Sequence, residues 1–378
     1  PQKRLSKTDL KDKWRKNLAD INVCSQKGLV EKFDSTVGAG SVLMPYGGKY
    51  QLTPEQDMAA KIPTTDGDTT TGTIMSHGFD SKLATWSPFH GALYAVIQSV
   101  AKVVANGGDY QNIRFTFQEY FESLRDNPAR WGKPFSALLG AYQAQKEFGL
   151  PAIGGKDSMS GTFHDLDVPP TLVSFAVDPV DVNNVISSAF KRSGSQVVYL
   201  PVERDEHELP DFDKLTSAYQ RVTNLIEQGK VLAARAVTLG GIAEAVSKMS
   251  FGNKIGVDFT VNLPEDKLFT PDYGALVLEL KGDEDVDDLF GDVNYQILGA
   301  TTADQNIKVN NTKIDIEQAI KTWEEPLEKI YKTKTDTEEK ALDFQPYKTE
   351  NIHVCQNKVA KPKVLIPVFP GTNCEYET

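Results

Sequence analysis

The chain has 378 residues, of which 40% are hydrophobic and 25% charged, a composition typical of a soluble globular protein with two or three domains. Its formal net charge is −11, with 41 lysines and arginines against 52 aspartates and glutamates. This balance argues against nucleic-acid-binding and membrane-surface proteins, because both classes need a positively charged face. It still permits a local basic pocket for a small phosphorylated ligand.

The three cysteines, Cys24, Cys355 and Cys374, are too few and too widely spaced for a disulfide framework or a zinc site. No apolar run approaches the roughly 18–20 residues of a membrane span. The charged N-terminus also lacks the apolar core of a signal peptide. We therefore expect reduced thiols, no membrane partner and a cytoplasmic location.

Helix and strand signals alternate through the first half of the chain, and glycines mark their ends. After Pro88, apolar residues recur at helical spacing until the Gly107-Gly108 pair, which stops the helix. In chain order we expect a helix over 8–20, an irregular connector over 25–50, a helix over 88–106, a strand that turns helical over 114–126 and a helix over 134–148.

The second half begins with a near-continuous apolar strand, followed by a polar helix and a new strand, so a domain boundary is placed near 180–190. We expect strands over 169–178 and 195–202 with a helix between them, helices over 211–228 and 242–251, strands over 255–260 and 274–280, a hairpin over 307–316 and a closing helix over 316–331. A polar linker over 333–362 then leads to another apolar strand over 364–369.

The stretch "GGKDSMSGTF" over 154–163 carries the densest chemistry. It fails as a Walker-type phosphate loop, because Gly155 stands where lysine is required and Asp157 follows Lys156 in place of serine or threonine. Its residue types still suit polyphosphate with a divalent cation: Lys156 offers a point charge, Asp157 a hard oxygen, and Ser158 and Ser160 hydroxyl donors. A polar turn before the next strand is the alternative.

Four stretches together resemble one enzyme family. They are "LADINVCSQKGLVEKFDST" (18–36), the helix region 85–110, the block 114–163 and "VLIPVFPGTNCEYET" (364–378). These resemble the phosphoribosylformylglycinamidine synthases in their large single-chain form. The resemblance implies an ATP-dependent carbon–nitrogen ligase of purine biosynthesis. Such an enzyme converts formylglycinamide ribonucleotide, glutamine and ATP to formylglycinamidine ribonucleotide, glutamate, ADP and phosphate.

The resemblance also implies an α/β (α+β) fold. In this family the synthetase body has two halves, each a pair of domains like those of aminoimidazole ribonucleotide synthetase: an N-terminal-type domain with a barrel-forming sheet and a C-terminal-type α/β domain. Mapped on this chain, 1–40 is a connector from the first half, 41–180 the N-terminal-type domain and 185–345 the C-terminal-type domain of the second half. Residues 346–378 are then a linker and the first strand of the glutaminase domain.

On this mapping the chain is a fragment, a structural second half that is inactive alone. Catalytic residues are not assigned, because the first half and the glutaminase nucleophile lie elsewhere. The second half can hold an auxiliary nucleotide, ATP or ADP with Mg²⁺, at Lys156, Asp157, Ser158 and Ser160. Asp157 matches a metal ligand of the family.

The sequence departs from the family pattern at two further positions. Members with the auxiliary nucleotide tend to present Glu and Asn four residues apart, where this chain has Gln98 and Lys102. The amide at Gln98 is a weaker metal ligand than a carboxylate, and a lysine repels Mg²⁺. Lys102 is alternatively expected to replace a cation by pairing with Asp157.

A second hypothesis treats the chain as a nucleotide-binding or dimerisation module with a regulatory ADP–Mg²⁺ site at 154–163. The partners expected under the two hypotheses are small-molecule nucleotides, the remaining domains of the same polypeptide, and a second copy of the chain. Without the first half, an apolar sheet edge or patch should be exposed, and such a surface favours homodimerisation.

Overall fold

The computed structural model describes residues 9–33, 38–282, 285–334, 356–361 and 363–369. The chain divides into two compact units, Pro1–Lys334 and Thr335–Thr378. The first unit contains the helices and strands discussed below.

Helices cover much of the first unit. In chain order they are α1 (Leu10–Leu18), α2 (Lys27–Val30), α3 (Ser81–Trp86), α4 (Pro88–Ala105), α5 (Pro128–Phe148), α6 (Phe212–Glu227), α7 (Gly241–Phe251), α8 (Glu265–Phe269), α9 (Val286–Phe290) and α10 (Ile316–Glu328). Single 3-10 turns lie at Gly38–Gly40, Tyr110–Asn112 and Val182–Asn184.

The strands form two larger sheets and two short hairpins. In chain order they are β1 (Tyr46–Gly47), β2 (Thr53–Pro54), β3 (Asp57–Lys61), β4 (Thr71–Gly78), β5 (Arg114–Tyr120), β6 (Ala152–Lys156), β7 (Thr162–Phe163), β8 (Leu166–Asp167), β9 (Thr171–Asp181), β10 (Gln196–Leu200), β11 (Val231–Ala236), β12 (Gly256–Phe259), β13 (Leu276–Leu280), β14 (Gln296–Thr302), β15 (Asn306–Val309) and β16 (Thr312–Asp315).

The first sheet has the order β3-β4-β9-β5-β6 and is antiparallel except for the β5–β6 pair. Alternate residues of β9, from Leu172 to Val180, are buried, whereas Phe175 between them is exposed. The buried face packs against α4, whose residues from Gly91 to Ala105 are all buried. The alternation thus fixes which face of the sheet α4 covers.

The second sheet has the order β11-β13-β10-β14-β12-β15-β16. It is antiparallel except for the parallel β12–β15 pair. One apolar core joins the two sheets, since Val198 and Leu200 of β10 belong to the same cluster as Val96 and Val100 of α4. The predicted boundary at 180–190 falls between β9 and β10, within one compact unit.

Much of the predicted element order is confirmed, including α4 and the β15–β16 hairpin, where Asn310 and Asn311 take φ values of 46° and 62° at the turn. The helix expected over 134–148 begins earlier, at Pro128, because the side chain of Asn127 caps it. In the described part of the chain, no helix is long and apolar enough to cross a membrane.

Two predicted helices are wrong, because their backbone amides bond to other segments. Between Asp181 and Gly194 only one 3-10 turn forms, and the amides of Ile186 and Ser188 donate to Asn106 O and Glu55 Oε2. After β5, the amide of Phe121 likewise donates to Ser158 O. An amide used in this way cannot close the i→i−4 ladder of a helix.

The strand predicted over 364–369 is also wrong, since these residues are irregular and exposed or partly exposed. A strand needs a hydrogen-bonded neighbour, and the described residues of the second unit supply none. Of the predicted linker 333–362, residues 335–355 lie outside the described residues, as do Cys355, Cys374 and the "PGTN" of 370–373. Cys24 is a buried free thiol.

Asp178, a buried carboxylate on β9, gives a first testable expectation. Its Oδ2 accepts the amide of Asp109, while its Oδ1 has no partner among the described residues. Burial raises its pKa to about 7, so the folded protein keeps a proton that the unfolded chain has lost above about pH 4. Stability contributed by this group is therefore lost as pH rises from about 4 through 7.

Asp178→Asn keeps an acceptor for the Asp109 amide but has no charge to bury. We expect it to raise the free energy of unfolding at pH 8 by about 1–3 kcal/mol and to have little effect at pH 4. Urea unfolding of both proteins at the two pH values measures this. A variant that is less stable than the parent at pH 8 contradicts the assignment.

Candidate functional site

The segment 154–163 begins on β6, at the edge of the first sheet. Its backbone pairs with β5 in parallel, with Gly154 opposite Thr116 and Gly155 opposite Phe117. A Cβ atom on Gly155 would stand 2.2 Å from Phe117 O, so only glycine permits this close pairing. The sequence "GGK" is thus explained in part by strand packing.

The side chains that were predicted to bind a ligand come directly after these two glycines in the sequence. Lys156 and Asp157 are exposed, Ser158 is half-buried, and the hydroxyls of Ser158 and Ser160 lie 2.8 Å apart. Burial and then the charge of Asp157 raise the pKa of Glu119 on β5. The segment therefore presents a lysine, two hydroxyls and a carboxylate near a second carboxylate, a set able to contact phosphate oxygens.

Gln98 and Lys102 lie elsewhere. Both are buried on α4, and Gln98 packs beside Gly78 at the end of β4. In the sheet order, β4 is three strands from β6, a separation of about 14 Å. The structure therefore brings Lys156, Asp157, Ser158 and Ser160 together but does not place Gln98 or Lys102 with them.

Mg²⁺ does not fit this arrangement. A divalent cation needs several hard oxygen ligands around one point, and the described residues contain no group of three or more His, Cys, Asp or Glu that could hold a metal. Asp157 has Lys156 as its chain neighbour, and Gln98 has Lys102 one helical turn away. The ligand set implied by the family resemblance is thus dispersed.

Lys102 instead enters a cleft between the two sheets. Its ammonium donates to His77 O at 2.6 Å, and the attraction of Asp57 opposes the burial that lowers the pKa of Lys102 to about 8. The charge of Lys102, followed by burial, lowers the pKa of His77 to about 4. His77 is therefore neutral at physiological pH, and Lys102 has a different partner from the Asp157 expected from the sequence.

Six charged side chains meet in this cleft, and we call them the buried charge cluster: Glu55, Asp57, Lys102, Arg235, Glu244 and Lys248. The first three come from the part of the chain that forms the first sheet, and the last three from β11 and α7. The cluster thus contains three carboxyl groups and three basic groups, and burial raises the pKa of both Glu55 and Asp57.

Short hydrogen bonds fix the half of the cluster that lies on β11 and α7. Lys248 donates to Glu244 Oε1 at 2.6 Å, and the Gly240 amide donates to Glu244 Oε2 at the same distance. Arg235 donates from Nη1 to Pro54 O at 2.6 Å, which ties β11 to the end of β2. Glu244 therefore holds both the turn before α7 and the lysine one turn further along.

A cavity of about 490 Å³ adjoins the cluster, lined by Asp57, His77, Arg235 and Lys248 together with Cys24 and Tyr46. Both carboxylate oxygens of Asp57 and the Nε of Arg235 are enclosed with no hydrogen-bond partner among the described residues. Such groups are costly unless they are hydrogen-bonded. The cavity therefore places unpartnered polar groups beside the buried charge cluster.

No known protein-family profile matches the chain, but curated proteins do. The chain is 22% identical over 353 residues to phosphoribosylformylglycinamidine synthase subunit PurL of Thermoplasma acidophilum, and 27% identical over 291 residues to the subunit of that name from Picrophilus torridus. These matches cover 85% and 70% of this chain but 45% and 37% of the relatives. The chain thus spans less than half the length of these relatives.

Solved structures of PurL proteins are also similar to this chain. PurLQS from Thermotoga maritima superimposes with a TM-score of 0.54 at 19% identity, covering 73% of this chain and 40% of that one. T. maritima PurL complexed with ATP gives 0.56 at 13% identity, covering 80% and 50%. The chain has the PurL fold. The predicted α/β fold class is therefore confirmed.

Most residues of the cluster could not be predicted from the sequence. A signal existed in α7, where Glu244 and Lys248 stand four residues apart in an otherwise apolar helix that follows Gly240-Gly241. Charged residues at i and i+4 usually mark an exposed face, but here every residue of α7 is buried. Asp57 gave no such signal, since one acidic residue at the start of a strand is common.

Proposed function

We propose that this chain is a synthetase half of a phosphoribosylformylglycinamidine synthase, the purine-biosynthetic enzyme that converts formylglycinamide ribonucleotide, glutamine and ATP to the amidine. We further propose that it is the structural second half of a large single-chain form and is inactive alone. The observation that carries the proposal is the match to PurL subunits over 85% of this chain but only 45% of their length.

The charge arrangement supports a structural role. ATP-dependent ligation of this kind relies on metal ions and fixed donors that stabilise transferring phosphate. In the described residues, each carboxylate of the cleft has a lysine or an arginine near it, although Glu55 and Asp57 also lie near each other. We therefore assign no catalytic residue to this chain, and place ATP and Mg²⁺ chemistry in the remaining domains of the same polypeptide.

A turnover assay tests this proposal. The chain alone, supplied with formylglycinamide ribonucleotide, Mg²⁺, ATP and either glutamine or ammonium chloride, is expected to form no amidine and no ADP above background. A longer polypeptide that contains this chain and a first synthetase half is expected to form both. Amidine formation by the chain alone would show that it is a complete synthetase.

The four polar side chains at the end of β6, Lys156, Asp157, Ser158 and Ser160, favour a second candidate, a nucleotide-binding or dimerisation module with a regulatory ADP–Mg²⁺ site. Isothermal titration with ADP, with and without Mg²⁺, separates the two functions. The structural half predicts no heat with either the parent or Asp157→Ala. The regulatory module predicts saturable ADP binding in Mg²⁺, with an affinity that is lower by about tenfold or more in Asp157→Ala, because that variant loses the acidic side chain of the segment 154–163.

Both candidate functions are compatible with a partner-binding surface on α5. One face of α5 exposes five large apolar side chains, Trp131, Phe135, Leu138, Leu139 and Tyr142, a stripe larger than scattered surface apolar residues explain. We propose that this stripe supports self-association of the isolated chain.

The double variant Phe135→Glu/Leu138→Glu places two charges on the α5 stripe. We expect it to raise the dimer dissociation constant about tenfold or more, as measured by sedimentation equilibrium or light scattering over a concentration series. Ser217→Glu, on the exposed face of α6, is the matched control and should leave association unchanged. A parent chain that stays monomeric at high concentration contradicts the proposal.

A further inference from the structure

The cavity beside the buried charge cluster has charged side chains of both signs in its wall. Among its lining residues the carboxylic acids are Glu55 and Asp57, and the cationic side chains are Arg235 and Lys248. Asp57, Arg235 and Lys248 are 8%, 4% and 7% exposed, so these charges are held inside the protein rather than on a solvated rim. A cavity of about 490 Å³ is large enough to hold a small molecule.

The acidic side of the cavity has hydrogen-bond acceptors that the described part of the chain leaves unused. Both oxygens of Asp57 and the Oε1 of Glu55 have no hydrogen-bond partner among the described residues. The other oxygen of Glu55 accepts the Ser188 amide at 2.9 Å, which holds this carboxyl group in place. The ammonium of Lys102 donates to His77 O, and Lys102 is not among the lining residues. Three oxygens on two carboxyl groups are therefore available to a ligand that has N–H donors.

The basic side of the cavity has hydrogen-bond donors. The Nε of Arg235 has no partner among the described residues, while its Nη1 is fixed by Pro54 O at 2.6 Å. Lys248 donates to Glu244 Oε1 at the same distance, and an ammonium has three N–H groups in all. A ligand carboxylate accepts donors of this kind in charge-assisted hydrogen bonds. The two sides of the cavity thus require opposite chemistry from one ligand.

A ligand with a single charge fits this wall poorly. A metal cation or a simple amine would be attracted by the two carboxyl groups but repelled by Arg235 and Lys248, and a simple anion would be repelled by Glu55 and Asp57. A zwitterion instead places each of its charges beside the opposite one. An α-amino acid has an ammonium with three N–H donors, which matches the three free carboxyl oxygens, and a carboxylate one carbon away for the basic side.

We propose that this cavity binds a small α-amino acid as its zwitterion, with the ammonium against Asp57 and Glu55 and the carboxylate against Arg235 and Lys248. Burial raises the pKa of both carboxyl groups, and an ammonium bound beside them favours their ionised forms. The inference rests on the cavity and its unpartnered groups and does not depend on the activity proposed above. Its failure would leave the turnover results unaffected.

Isothermal titration of the parent chain tests the charge pattern of the ligand. Glycine and the common L-amino acids are titrated one at a time, without ADP or Mg²⁺. The amino acid that binds most tightly is then compared with its amide, which lacks the carboxylate, and with its N-acetyl derivative, which lacks the ammonium. Each analogue is expected to bind about tenfold or more weakly than the amino acid. No saturable heat with any amino acid, or an analogue that binds equally well, would overturn the proposal.

Asp57→Asn tests the location of the site. The variant keeps the size of the side chain but removes its charge, so the affinity for the same amino acid should fall by about tenfold or more. Asp68→Asn, on an exposed carboxylate that pairs with Lys61, is the matched control and should bind like the parent. Circular dichroism shows whether Asp57→Asn is folded, and if it is not, the analogues on the parent chain decide alone. An unchanged affinity in folded Asp57→Asn would contradict the assignment.

Discussion

Glu244→Ala is expected to destabilise the chain by about 3–5 kcal/mol, a large effect for a single substitution. The carboxylate is fully buried and accepts hydrogen bonds from Lys248, Thr238 and the Gly240 amide. Alanine leaves the Lys248 ammonium enclosed without its partner and leaves the turn before α7 without an acceptor. Both effects fall on the same helix terminus, so they act together.

The stability contributed by Glu244 should also depend on pH. Burial alone would raise the pKa of Glu244, but the charges of Lys248 and Arg235 outweigh it, and the pKa lies below its usual value. Because the folded-state pKa is depressed, the stabilisation is present above about pH 4 and is lost as pH falls through the folded-state value. Glu244→Gln should therefore lose stability at pH 7 and show a weaker acid dependence than the parent.

Chemical denaturation at pH 7 and pH 3.5 measures both effects. The double variant Glu244→Gln/Lys248→Met should recover much of the loss, because it removes both charges from the interior. Asp304→Ala, which breaks an exposed pair with Lys308 on β15, is the control and should leave the unfolding free energy nearly unchanged. If Glu244→Ala behaves like this control, the pair with Lys248 contributes nothing to stability.

Local signals explain why much of the element order could be predicted. The helical spacing of apolar residues in α4 and the alternation in β9 are properties of a few consecutive residues, and each survives in the folded structure. Segments whose amides are used by distant partners were mispredicted. The stretch after β9 is the clearest case, since Asn106 and Glu55 bind its amides. No pattern within that stretch reveals them.

The site was harder to predict than the fold, because its residues come from separated parts of the chain. The family pattern predicts a pair between Lys102 and Asp157, but the strand order places three strand spacings between β4 and β6. The contact of Lys102 with the His77 carbonyl could not be predicted either, since it depends on how α4 crosses the first sheet. Arg235 carries no local signal of a site, because it stands inside an otherwise apolar strand.

Trp323→Ala is the second substitution with a large expected effect. The indole lies on α10, is 1% exposed and packs on Phe251 of α7 with ring centroids 5.3 Å apart. Its Nε1 donates to Val23 O, and its own carbonyl accepts the Ser25 amide, both at 2.9 Å. Trp323 therefore links the connector after α1 to α10 and fills the core beside the cleft.

Removing the ring should cost about 3–5 kcal/mol through the cavity it leaves, whereas Trp323→Phe should cost about 1–3 kcal/mol through the unpaired Val23 carbonyl. Trp86, 69% exposed on α3, provides the control, and Trp86→Ala should change stability little. Amide hydrogen exchange distinguishes the two roles of the indole. Trp323→Phe should speed exchange at Cys24 and Ser25 more than in the interior of α10, because it releases the connector while the ring still fills the core. Uniform acceleration across both regions would mean that Trp323 acts only by filling space.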